Sequence, residues 1–218
     1  MHYYFTRRVD QRKTMCAPTA SDDASAAPTP KENPKETPQE DPHDIQERFV
    51  NNHQRDFPRA LREIKNGKKE SCWLWWILPA APYTVNGVEK GSTTNRKYAL
   101  RGDEAVEAFL SFKSEDGTDL RQNYFDIVSA IYKQMKRGKS LRELLGDLDD
   151  VKVVSSLELF AHVAEQMEDN ELAFVCRNVL ELYAKYAKKR AKNSRKIPGL
   201  KKLLGLKKSA PQRYTSHF

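Results

Sequence analysis

The sequence predicts an all-α protein, a compact single-domain helical bundle of about six to eight helices with a disordered N-terminal arm and a basic C-terminal tail. Apolar residues recur at spacings of three and four along residues 44–184, which is typical of amphipathic helices. Alternation with a period of two, the pattern of strands, is nowhere sustained. Residues 71–79 form an apolar run with all three tryptophans, so we expect this run at the centre of the core.

The first segment, residues 1–43, is predicted to be a disordered arm. It holds six of the eleven prolines, and Val9 is its only aliphatic residue larger than alanine apart from methionine. Such a segment cannot bury enough apolar surface to offset the entropy lost on ordering. Its first 20 residues are basic, which leaves an organelle transit peptide open, but they lack the apolar stretch of a secretory signal.

The first half of the domain should contain short helices around the tryptophan run. Asp44 is the expected cap of the first helix, and Pro58 should separate it from a second helix over residues 57–66. After the run, residues 79–94 should be a loop with a turn at Asn86-Gly87, and residues 97–101 a short connector.

The second half should contain longer helices, because its apolar stripes are longer. The expected helix caps are Asp103, Thr118, Ser140, Ser155 and Asn170. Ser140 with Glu143 and Ser155 with Glu158 both have the spacing of a capping box, and residues 147–152 between them should be a turn.

Charge is distributed unevenly along the chain. Residues 185–218 contain 12 Lys and Arg and no Asp or Glu, whereas residues 1–184 contain 26 basic and 30 acidic residues. Such a basic tail fits a nucleic acid, a nuclear-import receptor, an anionic membrane surface or a solvated extension. The candidate contacts for nucleic acid or import are Lys188, Lys189, Arg190, Arg195 and Lys196.

Cysteine, histidine and glycine patterns give little support for an enzyme. No metal-ligand spacing, phosphate-binding glycine loop or nucleophile motif is present, so we predict no cofactor and no metal site. Three widely spaced cysteines suit an intracellular protein, cytoplasmic or nuclear, and no stretch has the length of a membrane span. Cys72 next to Lys68 and Lys69 remains an alternative as an activated thiol.

One polar cluster predicts a ligand site. Two hydroxyls and a lysine at a predicted helix N-terminus offer donors and a cation to a small anionic or nucleotide-like ligand. Capping alone would also explain the cluster. We expect the pocket near the tryptophan run, with the candidate residues Trp73, Trp76, Arg96, Tyr98, Asp149, Lys152, Ser155 and Ser156.

Four motifs between Arg48 and Tyr183 also resemble a known family. They are Arg48-Phe49-Val50; Ala60-Leu61-Arg62-Glu63-Ile64 with Gly67 and Lys69; Ser71-Cys72-Trp73-Leu74-Trp75-Trp76-Ile77-Leu78-Pro79-Ala80 with Arg96-Lys97-Tyr98-Ala99-Leu100; and Leu145-Gly146 with Asp149, Lys152, Ser155, Ser156, Leu159 and Phe160. On these residues the chain resembles the domain of unknown function 1810 family. The resemblance implies an all-helical single domain with no established activity. Three polar positions of the family pattern differ here, at His53, Cys72 and Ala80.

Overall fold

The computed structural model describes residues 41–195, and within them the protein is all-α, as predicted. The predictions for residues 1–40 and 196–218 lie outside the described residues. The helices are a π-helical turn Gln46–Val50, α1 Asn51–Asn66, α2 Leu74–Ile77, α3 Thr93–Tyr98, α4 Asp103–Ser111, α5 Leu120–Lys136, α6 Leu141–Leu145, α7 Asp150–Gln166 and α8 Asn170–Arg195. A two-stranded hairpin, β1 Thr84–Val85 and β2 Val88–Glu89, turns at the predicted Asn86-Gly87.

Helices α1, α5 and α8 run side by side in the same direction. Asn123 near the start of α5 bonds to His53 of α1, and Gln134 near its end bonds to the carbonyl of Lys65. On the other side of α5, Arg121 pairs with Asp169 just before α8. Further along, the hydroxyl of Tyr186 in α8 donates to the carbonyl of Met135 in α5, at 3.0 Å. The carboxyl ends of these three helices therefore lie at the same end of the domain.

The core is a set of packed aromatic rings between α1, α4, α5 and α7. Phe160 of α7 stacks on Tyr124 with ring centroids 3.9 Å apart, and meets the edge of Phe109 at 5.4 Å. Phe49 contacts Phe109 from the π-helical turn. All four rings are fully buried. Such edge-to-face and stacked pairs stabilise a core beyond the area that they bury.

The tryptophan run is buried as predicted, but only its first ring is fully enclosed, and the buried carboxylate of Glu63 holds it. That carboxylate accepts hydrogen bonds from the amides of Glu70 and Ser71 and from the indole of Trp73, at 2.8, 3.1 and 2.8 Å. Burial alone would raise the pKa of Glu63, but these bonds and that from the Ser71 hydroxyl outweigh burial and lower it to about 2. The segment that leads into α2 is thereby fixed to α1.

The predicted boundary at Pro58 is wrong, because α1 continues through it. Pro58 is exposed, while His53, Ala60 and Ile64 on either side are buried, so packing holds the helix together across the proline. The predicted cap Asp44 is also wrong. The carboxylate of Asp41 accepts the amide hydrogens of Ile45 and Gln46, each at 2.8 Å.

Three further boundaries differ from the prediction. Residues 93–98 form α3, capped by Ser92, where a loop and connector were expected. Asp119, not Thr118, caps α5. The capping box of Ser140 and Glu143 is confirmed, but Ser155 lies in the second turn of α7, which begins at Asp150. The apolar stripe of α7 extends back to Val153, which is fully buried, so the helix starts before the expected cap.

Candidate ligand-binding cleft

A cleft of about 440 Å³ lies along α7, opposite α2 and the segment 80–103. Its apolar lining comes from Leu74, Trp75, Leu78, Ala80, Ala81, Pro82, Tyr83, Tyr98, Ala99 and Leu159. Its polar lining comes from Thr84, Asn95, Asp103, Lys152, Ser155, Glu158 and His162. An apolar cleft of this size with a few polar groups is the usual form of a small-molecule site.

Helix α7 supplies one complete wall of the cleft. Lys152, Ser155, Leu159 and His162 follow one another at spacings of three and four, so they lie in one row along the helix. From Lys152 to His162 the row is about 15 Å long, at 1.5 Å per residue. The cleft is therefore elongated, with different chemistry at its two ends.

The end at Lys152 carries a net positive charge. The ammonium group of Lys152 lies 3.1 Å from one oxygen of Asp149, and that of Lys69 lies 2.8 Å from the other. Burial alone would raise the pKa of Asp149, but its bonds to the two lysines outweigh burial and lower the pKa. Asp149 is therefore a carboxylate at neutral pH. Two cations against one anion leave a surplus of positive charge there.

Two more groups at this end can meet a ligand. The ammonium of Lys152 lies 4.1 Å from the ring centroid of Trp75, within the range of a cation–π contact. The hydroxyl of Ser155 is partly buried and has no hydrogen-bond partner among residues 41–195. A donor without a partner at the edge of a cleft is open to a ligand oxygen.

The other end of the cleft is acidic. Asp103, in the first turn of α4, lies 3.6 Å from the imidazole of His162, and Gln166 lies 3.2 Å from the same ring nitrogen. Glu158 is exposed one turn earlier on α7. Carboxylates in this position can accept hydrogen bonds from the hydroxyl or amino groups of a ligand.

The wall opposite α7 is fixed by bonds to backbone carbonyls. Arg48 donates to the carbonyls of Lys97 and Ala99, at 2.9 and 2.6 Å. The amide of Leu100 donates to the carbonyl of Ala80 at 3.0 Å, which closes the segment 80–100 on itself. The side-chain oxygen of Asn95 in this wall is buried and has no hydrogen-bond partner in the described part of the chain. The segment therefore has a defined shape although most of it is loop.

Some predicted site residues lie at the cleft and others do not. Lys152, Ser155 and Tyr98 line it, and Asp149 holds Lys152. Ser156 is fully buried behind it, where its hydroxyl donates to the carbonyl of Pro79 at 2.6 Å and bonds with the hydroxyl of Tyr124. Ser156 is therefore a structural link between α7 and the cleft wall.

The other three predicted residues are outside the lining. Trp73 is buried against Glu63, Arg96 is exposed on α3, and Trp76 packs on Tyr98 at 5.4 Å. The indole nitrogen of Trp76 is buried and has no hydrogen-bond partner among residues 41–195. Sequence reasoning missed Trp75, Asp103 and His162; the spacing of His162 from Lys152 and Ser155 on one helix was the available signal.

His53 contacts the tryptophan run but does not line the cleft. Its Nε2 is 2.8 Å from the carbonyl of Trp76, and its Nδ1 is 3.2 Å from the amide nitrogen of Asn123. Burial lowers the pKa of His53 to about 4, although the bond to Trp76 raises it slightly. His53 is therefore neutral and links the end of α2 to α1 and α5.

The remaining candidates form no second reactive cluster in the described part of the chain. Cys72 is exposed and makes no hydrogen bond to a residue within 41–195, and burial raises the pKa of the Cys176 thiol to about 12. No group of three or more His, Cys, Asp or Glu within residues 41–195 could hold a metal ion. No described helix combines the length and apolar character needed to cross a bilayer.

Of the tail candidates, Lys188, Lys189 and Arg190 are exposed on α8, Arg195 is its last residue, and Lys196 lies outside the described residues.

Comparison with known proteins gives a family and a related fold. Residues 42–195 match the family described as "Protein of unknown function (DUF1810)". The conserved hypothetical protein Rv1873 from Mycobacterium tuberculosis, known from a crystal structure, is 24% identical, with a TM-score of 0.52 over 68% of this chain and 90% of that one. At this identity the likeness concerns the fold alone. No curated protein is significantly similar to the chain.

Proposed function

Since the chain belongs to the DUF1810 family of proteins of unknown function, we propose a function from its own residues: it is a binding module for a small nucleotide-like ligand, held in the cleft along α7. The single observation that carries this proposal is the cleft itself, an apolar and aromatic space with a positive end and an acidic end. Such a space selects a ligand with a flat apolar part and two different polar parts.

The apolar lining of the cleft suits a planar ring. Trp75, Tyr83 and Tyr98 contribute aromatic surface to it, and Leu78 and Leu159 contribute aliphatic surface. Aromatic rings stack on planar ligands in offset or edge-to-face geometry, and their burial is favourable because it removes apolar surface from water. A nucleobase has both the shape and the apolar faces that this part of the cleft accepts.

The positive end suits a phosphate or carboxylate of the ligand. Lys152 is a flexible point charge of the kind that binds phosphate, and the hydroxyl of Ser155 is one helical turn away on the same row. Asp149 competes for Lys152, but Lys69 compensates the charge of Asp149. An anionic group can therefore approach Lys152 without leaving Asp149 unpaired.

The acidic end suits hydroxyl groups. Glu158 is exposed and Asp103 is partly buried, and neither is paired with a lysine or arginine in the described part of the chain. Carboxylates are acceptors, and the two hydroxyls of a ribose are donors that such a pair can bind. A nucleotide therefore has a partner for its base, its phosphate and its sugar in this one cleft.

The proposal is tested by thermal unfolding of the full-length chain with adenosine, AMP, GMP, ADP-ribose and inorganic phosphate. A ligand present at a hundred times its Kd stabilises the folded state by about 2.7 kcal/mol, which is a measurable rise in Tm. We expect Lys152→Gln to weaken the effect of the phosphorylated ligands and to leave that of adenosine. Lys97→Gln, an exposed lysine outside the cleft lining, is the matched control.

Two outcomes would overturn the proposal. One is the absence of any shift with all five compounds at millimolar concentration. The other is a shift that Lys152→Gln and Lys97→Gln change equally, since the anion would then bind elsewhere. Lys97 is exposed and Lys152 is half-buried, and Asp149 keeps its pair with Lys69 when Lys152 is replaced, so both variants should fold.

A further inference from the structure

Because α1, α5 and α8 run in the same direction, the basic residues near their carboxyl ends lie at one end of the domain. All of them are exposed, and they come from parts of the sequence more than 100 residues apart. They are Lys65 and Lys68 at the end of α1, Lys133, Lys136, Arg137 and Lys139 at the end of α5, and Lys185, Lys188, Lys189 and Lys192 on α8. We name this set the basic end.

The lysines of α8 form a stripe on its solvent side. Lys185, Lys188, Lys189 and Lys192 follow at spacings of three and four, so they share one face of the helix. Tyr186, on a different face, is bonded to Met135 of α5. Only Lys185 has an ion pair, with Glu181 at 3.5 Å; the other three lysines pair with no residue in the described range. Like charges at this spacing destabilise a helix unless an anion offsets them.

A groove between α1 and α5 extends to this end, with Tyr132 near the basic end and Phe125 nearer the start of α5. Its volume is about 640 Å³, and it is lined by Leu61, Lys65, Phe125, Asp126, Ser129, Ala130, Tyr132, Lys133, Gln134 and Arg137. Phe125 and Tyr132 are partly buried, so part of each ring remains accessible. Aromatic rings beside cations form the usual surface for stacked bases and their phosphates.

Helix dipoles alone do not account for the basic end. Cations in the last turn of a helix stabilise its carbonyl end, and Lys139 does so directly by bonding to the carbonyl of Gly67 at 2.7 Å. Lys185, Lys188 and Lys189 lie more than one turn before the end of α8, where this effect has faded. We therefore expect an anionic partner to bind along this row of lysines.

We propose that the basic end binds single-stranded nucleic acid, with phosphates on the lysine stripe and the groove cations, and bases stacked on Tyr132 and Phe125. An anionic membrane fits less well. The exposed apolar residues beside the stripe are alanines, Ala184, Ala187 and Ala191, whereas Leu182 and Tyr186 pack against the core. An interfacial helix needs larger exposed apolar residues to enter the lipid.

The test is fluorescence anisotropy of the full chain with a labelled 20-nucleotide oligo(U) or oligo(dT), titrated at several salt concentrations. One variant reverses the stripe with Lys188→Glu, Lys189→Glu and Lys192→Glu, and a second reverses the groove with Lys133→Glu and Arg137→Glu. The matched control reverses Lys90, Arg96 and Lys97 to Glu. These residues are exposed, and Lys97 lies beside Arg48 at the opposite end of α1 from Lys65.

We expect the stripe and groove variants each to lose at least tenfold in affinity. The slope of log affinity against log salt should become shallower by about 2 for the three stripe lysines, at about 0.7 per phosphate contact on a single strand. The control should keep the slope of the wild type. Residues 196–218 are present in every protein compared, so their charge cancels in the comparison.

The binding measurements separate results that support the proposal from results that overturn it. A loss in both variants with an unchanged control supports the proposal, and Tyr132→Leu, which keeps apolar packing but removes the ring, should then weaken binding further. Equal binding by wild type, stripe and groove variants would overturn it. So would binding to phosphatidylserine vesicles without binding to either oligonucleotide, which would make the partner a membrane. None of these outcomes depends on a ligand in the cleft.

Discussion

At the scale of single residues, the polar groups buried in this domain are fixed links rather than reactive groups. Glu63 holds the segment before α2, Ser156 holds the segment after it, and His53 holds the carbonyl of Trp76 within it. Each was visible in the sequence only as an isolated polar residue in an apolar surrounding. A buried polar group must find partners, but the sequence does not say which backbone groups will supply them.

The neutral state of His53 predicts that stability falls in mild acid. Its pKa is about 4 in the folded protein, against 6.5 for an ordinary histidine such as that of the unfolded chain, so unfolding takes up a proton between these values. The stability is therefore full above pH 6.5 and declines as the pH falls toward 4. From pH 6.5 to 4.5 we expect a loss of about 2–3 kcal/mol in the free energy of unfolding, measured by urea denaturation.

The variant His53→Gln is the control for this prediction. Glutamine can donate to the carbonyl of Trp76 but cannot be protonated, so the decline between pH 6.5 and 4.5 should largely disappear. Glu63, whose pKa is lowered to about 2 from 4.5, contributes its own loss only below pH 4.5. A decline of the same steepness in the His53→Gln variant would assign it to other groups.

At the scale of elements, the sequence identified the helices well but misjudged several ends. The apolar stripes of α5, α7 and α8 were clear because more than four turns repeat the same face, and that of α4 because two turns do. Two capping boxes had the same spacing, and only that of Ser140 and Glu143 exists. For Ser155, burial of Val153 in the preceding turn extended the helix past the expected cap. The start of α7 is therefore set by core packing and could not be predicted from the capping-box spacing.

Helix α1 gives a prediction at this scale, because Pro58 lies inside it. A proline in a helix interior removes one hydrogen bond, and its ring crowds the carbonyl four residues before it. Pro58 is exposed, so its replacement by alanine removes little buried surface. We therefore expect Pro58→Ala to raise the free energy of unfolding by about 1–3 kcal/mol, measured by urea denaturation.

A control for Pro58→Ala is Arg62→Ala, which changes another exposed residue of the same helix. Its effect should stay within about 0.5 kcal/mol, as for most surface substitutions. A lower stability of Pro58→Ala than of the wild type would mean that the proline contributes more by restricting the unfolded chain than it removes from the helix.

At the scale of the whole molecule, the cleft and the basic end are each built from residues that are far apart in the sequence, so sequence patterns alone could not predict either site. The cleft combines residues 74–103 with residues 152–162, and the basic end combines the ends of three helices. The sequence pointed to Lys152, Ser155 and Tyr98, which carry distinctive chemistry. It gave no reason to join Asp103 to His162, since their contact depends on how α4 meets α7. Family resemblance predicted the fold and left the site open.

Arg48 connects the start of the helical domain to one wall of the cleft, and its replacement is the last prediction. Its side chain, in the π-helical turn, bonds to the carbonyls of His43, Lys97 and Ala99. Lysine cannot make these three bonds together, because it lacks the fork of the guanidinium group. In Arg48→Lys we expect faster hydrogen exchange at Leu100, whose amide bonds to Ala80, and unchanged exchange in α5 and α8. Since the segment 80–103 is one wall of the cleft, any ligand bound there should also bind less tightly. Faster exchange throughout the protein would instead mean that Arg48 supports the whole fold, and no change in exchange would mean that the wall is held by its own contacts.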